Sequence, residues 1–231
     1  MVREPFAQTE QAVVAEIYRR RARWYDVTAN LYYLIGFREQ AYRRKAVVAL
    51  RLRPGDTVVE LGCGTGLNFP LLEDAIGPEG RIVGVDLTPE MLEVAEERVR
   101  RSNWRNVELV NADAASFRFP ERVDGVISTF AITLLERYDM AIRNAASALS
   151  PGGRLVILDL KRPAWAPDWL FRLGVRVVSP FGVRAELSHR CPWESMGRCL
   201  EEVAVSDLYW GFAYIAAGET PRARAHGEDP R

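Results

Sequence analysis

From Thr57 to Leu160 the sequence keeps returning to one pattern: a short run rich in β-branched residues, bounded by turns and usually followed by an amphipathic stretch. Five such runs, "TVVEL", "RIVGVDL", "VELVNAD", "VDGVIST" and "RLVILDL", have the length and composition of buried strands. Between them "NFPLLEDAI", "PEMLEVAEERVRRS" and "RYDMAIRNAASALS" carry apolar residues at helical spacing. Thr88 and Pro89 are placed to open the second helix, and Pro151, Gly152 and Gly153 to stop the third. Strands alternating with crossover helices pair in parallel and are covered on both faces. "VAVSDLYW" and "FAYIAAGE" add two closing strands, and "EQAVVAEIYRRRARWYD" and "REQAYRRKAVVALRL" read as helices ahead of the sheet. The expected fold is therefore α/β: a doubly wound sheet of seven strands, mainly parallel with an antiparallel last strand, plus N-terminal helices. Its expected organisation is a helical cap at 1–53 within the same domain, a main body at 54–218 with a cap insertion at about 162–199, and a disordered polar tail at 219–231.

The first strand runs into a glycine turn, "VVELGCGTG", with Gly62, Gly64 and Gly66. A bare turn between a strand and a helix lies where doubly wound sheets bind ligands. Asp86 ends the second strand, where a carboxylate can accept hydrogen bonds from both hydroxyls of a ribose. Asp113 ends the third, followed by Ala114, where an adenine edge would lie. Three such features at successive strand ends indicate a nucleoside-containing cofactor. The spacing narrows it. The dinucleotide fingerprint G-x-G-x-x-G needs a glycine where Leu67 stands, and no Gly-Lys-Ser/Thr follows the turn as in a P-loop.

"VVELGCGTGLN", "GRIVGVDLTPEMLEVAEER", "NVELVNADAASFRFP", "VDGVISTFAIT" and "ALSPGGRLVILDL" together resemble the class I S-adenosylmethionine-dependent methyltransferases, which have a Rossmann-like fold. The resemblance is to the branch of ubiquinone/menaquinone C-methyltransferases and bacterial phospholipid N-methyltransferases, and it runs from about Tyr18 to Gly218. It implies S-adenosyl-L-methionine as cofactor. It also implies that Glu60 and the turn of Gly62, Cys63, Gly64 and Gly66, with Asn68 beyond it, hold the methionine end. Asp86 would hold the ribose, with Leu87 and Met91 beside the adenine; Asp113 and Ala114 would meet the adenine itself. Ser128 would lie near the sulfonium and the substrate. Tyr25, in "RWYD", matches a Tyr-Asp pair that closes over the cofactor in this branch.

Methyl transfer from a sulfonium is an in-line displacement by an already activated electrophile, so alignment and a dry pocket matter most. The acceptor must still be freed of a proton. Candidate bases are Tyr25, Asp26, Tyr138 and His189, with Tyr25 and His189 taken as the catalytic pair. No metal is expected, because His189, Cys191 and Cys199 match no common zinc spacing. Nucleic-acid acceptors are disfavoured, since "STFAIT" after the fourth strand lacks the proline pair of amino-methylating adenine enzymes. Protein arginine is disfavoured too, since only Glu136 stands in the loop that would need paired acids.

A small-molecule or lipid acceptor fits better. "RPAWAPDWLFRLGVRVVSPFGV" sets Trp165, Trp169 and Phe171 among Arg162, Arg172 and Arg176, a mixture suited to a water–acyl interface. Although formal net charge is zero, ten Lys or Arg face Asp26 and Glu39 between Arg19 and Arg53, adding attraction to an anionic membrane surface. Three cysteines without dense spacing suit a reducing compartment, and "MVREPFAQTEQ" shows no signal core. The expected protein is thus a cytoplasmic, peripherally membrane-associated transferase of lipid metabolism. The first expectation for its acceptor is a phospholipid head-group amine, ahead of C-methylation of a prenylated quinol and of methylation of a soluble small molecule.

Overall fold

A computed structural model describes residues 36–178 and 189–222. Tyr25, Asp26 and the basic residues Arg19 to Arg23 lie outside the described residues. In chain order the elements are α1 (Glu39–Ala49), β1 (Thr57–Leu61), α2 (Phe69–Ile76), β2 (Arg81–Asp86), α3 (Pro89–Ser102), β3 (Val107–Asn111), β4 (Val123–Thr129), α4 (Tyr138–Ala148), β5 (Leu149–Leu160), α5 (Asp168–Val178), α6 (Pro192–Gly197), β6 (Glu201–Leu208) and β7 (Ala213–Glu219). Short 3-10 turns at Ile132–Leu134 and Tyr209–Gly211 complete them.

The seven strands form one sheet in the order β3-β2-β1-β4-β5-β7-β6. β1 to β5 run parallel, and β7 enters antiparallel between β5 and β6. Alternation along a strand sends successive side chains to opposite faces, so a strand covered on both sides needs apolar residues at nearly every position. β1 obeys this. Val59 and Leu61 join one core with Val83, Val85, Ile157 and the α4 residues Ala141, Ile142 and Ala145. Val58 joins the other, with Ile82, Ile127, Val156, Phe69, Leu72 and the α1 residues Ala46, Val47 and Leu50. The strand order reverses between β1 and β4, which opens a crevice at their carboxyl ends.

Three local expectations are adjusted. Thr88 precedes α3 but its side chain makes no capping bond; its N–H instead donates to Asp86 Oδ1 (2.9 Å). α4 ends at Ala148 rather than at the proline, because Leu149 already pairs with Val123; Pro151, Gly152 and Gly153 sit in the irregularity that follows. Residues 219–222 belong to the body, not to a loose tail. Glu219 pairs with Arg154 (3.8 Å) and Arg222 (3.0 Å), and Thr220 Oγ1 donates to the Ser150 carbonyl (2.7 Å).

Candidate active site

The glycine turn follows β1, and the Gly62 and Cys63 amides both donate to the Val85 carbonyl (2.8 and 3.0 Å), tying the turn to β2. At Gly62 φ is +71°, and a Cβ there would lie 2.3 Å from that of Ala131. Gly64 also has positive φ and lines the crevice beside Met91. At Gly62 only glycine meets both demands without strain, and the turn packs directly against Ala131 of the opposite wall. The Gly64 amide donates to Asp86 Oδ2 (2.8 Å). Asp86 therefore holds the turn through one oxygen and Thr88 through the other, and each oxygen keeps lone-pair capacity for a ligand hydroxyl. Burial raises the pKa of Asp86, opposed by these amide bonds.

The crevice has two unlike sides. Asp86, Leu87, Met91, Ala112 and Ala114 line one, a polar grip followed by an apolar slot. Thr129, Phe130, Ala131, Leu134 and Leu135 line the other. Among the described residues the wall carries two charged side chains, Asp86 and Arg43. Arg43 comes from α1 and is almost fully buried. It donates to Glu39 Oε1 (2.8 Å), to Thr129 Oγ1 (2.6 Å) and to Asn68 Oδ1 (3.3 Å), and its guanidinium lies over the Phe130 ring (5.3 Å). Asn68 in turn donates to Glu60 Oε1 (2.6 Å), while Glu60 Oε2 has no partner. Burial pushes the Glu60 pKa up to about 8, against the pull of Arg43 and of the Asn68 bond. At neutral pH Glu60 is largely protonated, which explains how a carboxyl tolerates that site.

Phe130 has φ +55°, a left-handed conformation costing a bulky residue about 1–3 kcal/mol. Its amide donates to the Leu158 carbonyl (2.7 Å). The next turn is pinned from two directions. Asp159 accepts from the Thr133 amide (3.0 Å), and Arg190 donates to the Thr133 and Leu135 carbonyls (both 2.7 Å). Burial raises the Asp159 carboxyl to about 6. Strain held in place beside a crevice marks this loop as part of the site.

The residues singled out in the sequence divide into three groups. Gly62, Cys63, Gly64, Asp86, Leu87, Met91 and Ala114 form crevice wall. Glu60, Gly66, Asn68, Asp113 and Ser128 stand behind it. Glu60 and Asn68 belong to the buried network. Ser128 Oγ donates to the Leu61 carbonyl (2.9 Å) inside the sheet. Asp113 accepts the Ala115 amide (2.9 Å) and pairs with Arg137 (2.8 Å), so Ala112 and Ala114 carry that stretch of wall. The third group is the catalytic pair. Tyr25 lies outside the described residues, and His189 is exposed, off the wall but adjacent to Arg190. Cys63 is buried and burial drives its pKa well up, so the thiol stays protonated and is no nucleophile. Arg43, Thr129, Phe130 and Leu135 were not foreseen. A lone arginine in a basic run carries no sign that it will turn inward.

Residues 58–153 match the methyltransferase domain family. The chain is similar to demethylmenaquinone methyltransferase of Listeria welshimeri, 28% identical over 177 residues, covering 75% of this chain and 73% of the relative. It is 32% identical over 152 residues to the ubiquinone/menaquinone biosynthesis C-methyltransferase UbiE of Pseudomonas putida, covering 65% and 59%. In fold it is similar to the N-methyltransferase NodS of Bradyrhizobium japonicum, solved with S-adenosyl-L-homocysteine. That likeness has a TM-score of 0.61 at 17% identity and covers 92% of this chain and 99% of that one. The matched domain, the methyltransferase relatives and the shared fold make this chain a class I, Rossmann-like S-adenosylmethionine-dependent methyltransferase.

Proposed function

We propose that the acceptor is a prenylated quinol, methylated at a ring carbon at the inner face of the cytoplasmic membrane. The observation that carries this reading is the likeness to a demethylmenaquinone methyltransferase over about three quarters of both chains. It reorders the expectations from sequence, where a phospholipid head-group amine stood first. The second wall fits the choice: Phe130, Ala131, Leu134 and Leu135 offer a flat apolar acceptor aromatic and aliphatic neighbours.

When bound, the cofactor supplies an electrophilic methyl group on a sulfonium. The residues that would hold it are at hand. The Gly62–Gly64 backbone would lie under the methionine tail, Arg43 would meet its carboxylate, Asp86 the ribose hydroxyls, and Leu87, Met91, Ala112 and Ala114 the adenine. A quinol carbon becomes nucleophilic when a phenolic hydroxyl ionises; the new C–C bond forms as the C–S bond breaks, and loss of the ring proton restores the aromatic ring. Among the described residues the wall has no imidazole, and Asp86 is committed to two amides. Tyr25 is kept as the proposed proton acceptor; His189, exposed and off the wall, is not.

Labelled cofactor incubated with the protein and a bacterial lipid extract should place label in the quinone fraction. Label in phosphatidyl-methylethanolamines, or in no lipid, would overturn the quinol reading. A second measurement tests the ribose assignment. Asp86→Ala is expected to weaken S-adenosylhomocysteine binding by about 1–3 kcal/mol, roughly 5- to 150-fold, by leaving hydrogen-bonding groups without a partner. Calorimetry showing unchanged affinity in a folded variant would refute it.

A further inference from the structure

Large apolar side chains normally leave the surface, so several exposed together mark a surface that meets something apolar. Trp165 (58% exposed), Trp169 (68%), Leu173 (56%) and Trp210 (76%) are such a group. They come from two separate parts of the chain. The Trp165 indole N–H donates to the Trp210 carbonyl (2.8 Å), Trp165 stacks edge-on against Phe212 (5.7 Å), and Gly211 packs close to Pro163. These contacts lock the start of the α5 segment to the β6–β7 connection, so the indoles are held outward rather than left loose. On α5, Trp169 and Leu173 are one turn apart, and the exposed Arg172 and Arg176 flank them. Asp168, the acid of that helix, is paired with Arg162.

We propose that this face seats the protein on an anionic lipid bilayer. Indole rings with a polar N–H, an aliphatic side chain and a fringe of arginines match the water–acyl boundary and its phosphates. Among the described residues the face carries Arg162, Arg172 and Arg176 against Asp168, a positive balance that favours a phosphate surface over a second copy of a chain whose net charge is zero. A line of rings connects the face to the site. Trp210 touches Tyr209 (5.1 Å), Tyr209 meets Phe37 edge-on (5.2 Å), and Phe37 meets Phe130 (5.9 Å) on the crevice wall. Resting on the quinol reading, this aromatic wall is the side along which a prenyl tail passes between membrane and crevice.

The test uses the full chain and vesicles of phosphatidylcholine, with and without phosphatidylglycerol, in a sedimentation assay without acceptor. The wild type should partition more strongly onto the anionic vesicles, and added salt should weaken it. Trp169→Ala with Trp210→Ala should lower partitioning at least about tenfold, the loss expected when indoles no longer enter the interface. Arg172→Gln with Arg176→Gln should lower anionic binding by roughly 25-fold and leave phosphatidylcholine binding unchanged. Both pairs should keep wild-type affinity for S-adenosylhomocysteine, which shows that the fold survives. A wild type that stays in solution, variants that partition like the wild type, or a dimer that the tryptophan pair dissolves would each overturn the proposal. Vesicle binding without methylation of any quinol would remove the acceptor and leave the docking face. Methylation of a short-chain quinol without vesicle binding would do the reverse.

Discussion

Arg43→Met should destabilise the protein by about 3–5 kcal/mol, because it strips the cation from a buried ionic network and leaves its partners in place. Glu39, itself buried, loses its ion pair at 2.7 Å, and Thr129 and Asn68 each lose a donor. For a chain of this size the loss corresponds to a fall in thermal midpoint of roughly 6–20 °C. The double variant Glu39→Leu/Arg43→Met should recover much of it, since replacing both charges with apolar groups of similar volume removes the unpaired carboxylate. A single variant within about 1 kcal/mol of wild type in urea titration would show that the network contributes little, as exposed pairs do. Cofactor affinity separates the two roles of Arg43. Under the proposed site it should drop in Arg43→Met and stay low in the double variant, although stability returns.

Glu60 should make stability fall as pH rises. Its pKa goes up from 4.5 in the unfolded chain to about 8 in the fold, through burial. Between those values the folded state holds a proton that the unfolded state has released. Stability is therefore complete below the unfolded value and declines up to pH about 8, at a rate approaching about 1.4 kcal/mol per pH unit. Asp159, raised to about 6 by burial, adds the same sign over a lower window that closes near pH 6. Asp86, also raised by burial, acts with the same sign, so the comparison with a Glu60 variant is what separates Glu60 from both. Glu60→Gln, which keeps the shape and cannot ionise, should flatten the curve between pH 6 and 8 and be the more stable protein at pH 8. Parallel curves for the two proteins would mean that Glu60 is ionised throughout.

How far the site was legible depends on how far apart in the chain its parts lie. The glycine turn and Asp86 were readable because their chemistry is local: a strand end, a bare turn, an acid at the next strand end. The mainly parallel sense followed from the same periodicity, and β4 and α3 fall on the predicted residues. Glu60, Asp113 and Ser128 stand behind the wall for a reason no local pattern shows: Asn68 bonds one Glu60 oxygen and links it to Arg43, Arg137 pairs with Asp113, and Ser128 donates to the Leu61 carbonyl.

Composition and pattern alone determined that this chain winds a mainly parallel sheet and bares a turn at its switch point, where a nucleoside-containing cofactor is expected, because strand length, turn residues and helix period are set by neighbours a few positions away. Only the tertiary structure decided that Arg43 reaches 86 residues across the sequence to Thr129, that Phe130 is strained against the crevice, and that Trp165 and Trp210 share one exposed face. Those facts depend on how strands stack side by side, and burial and long-range hydrogen bonding assign partners that no local pattern encodes.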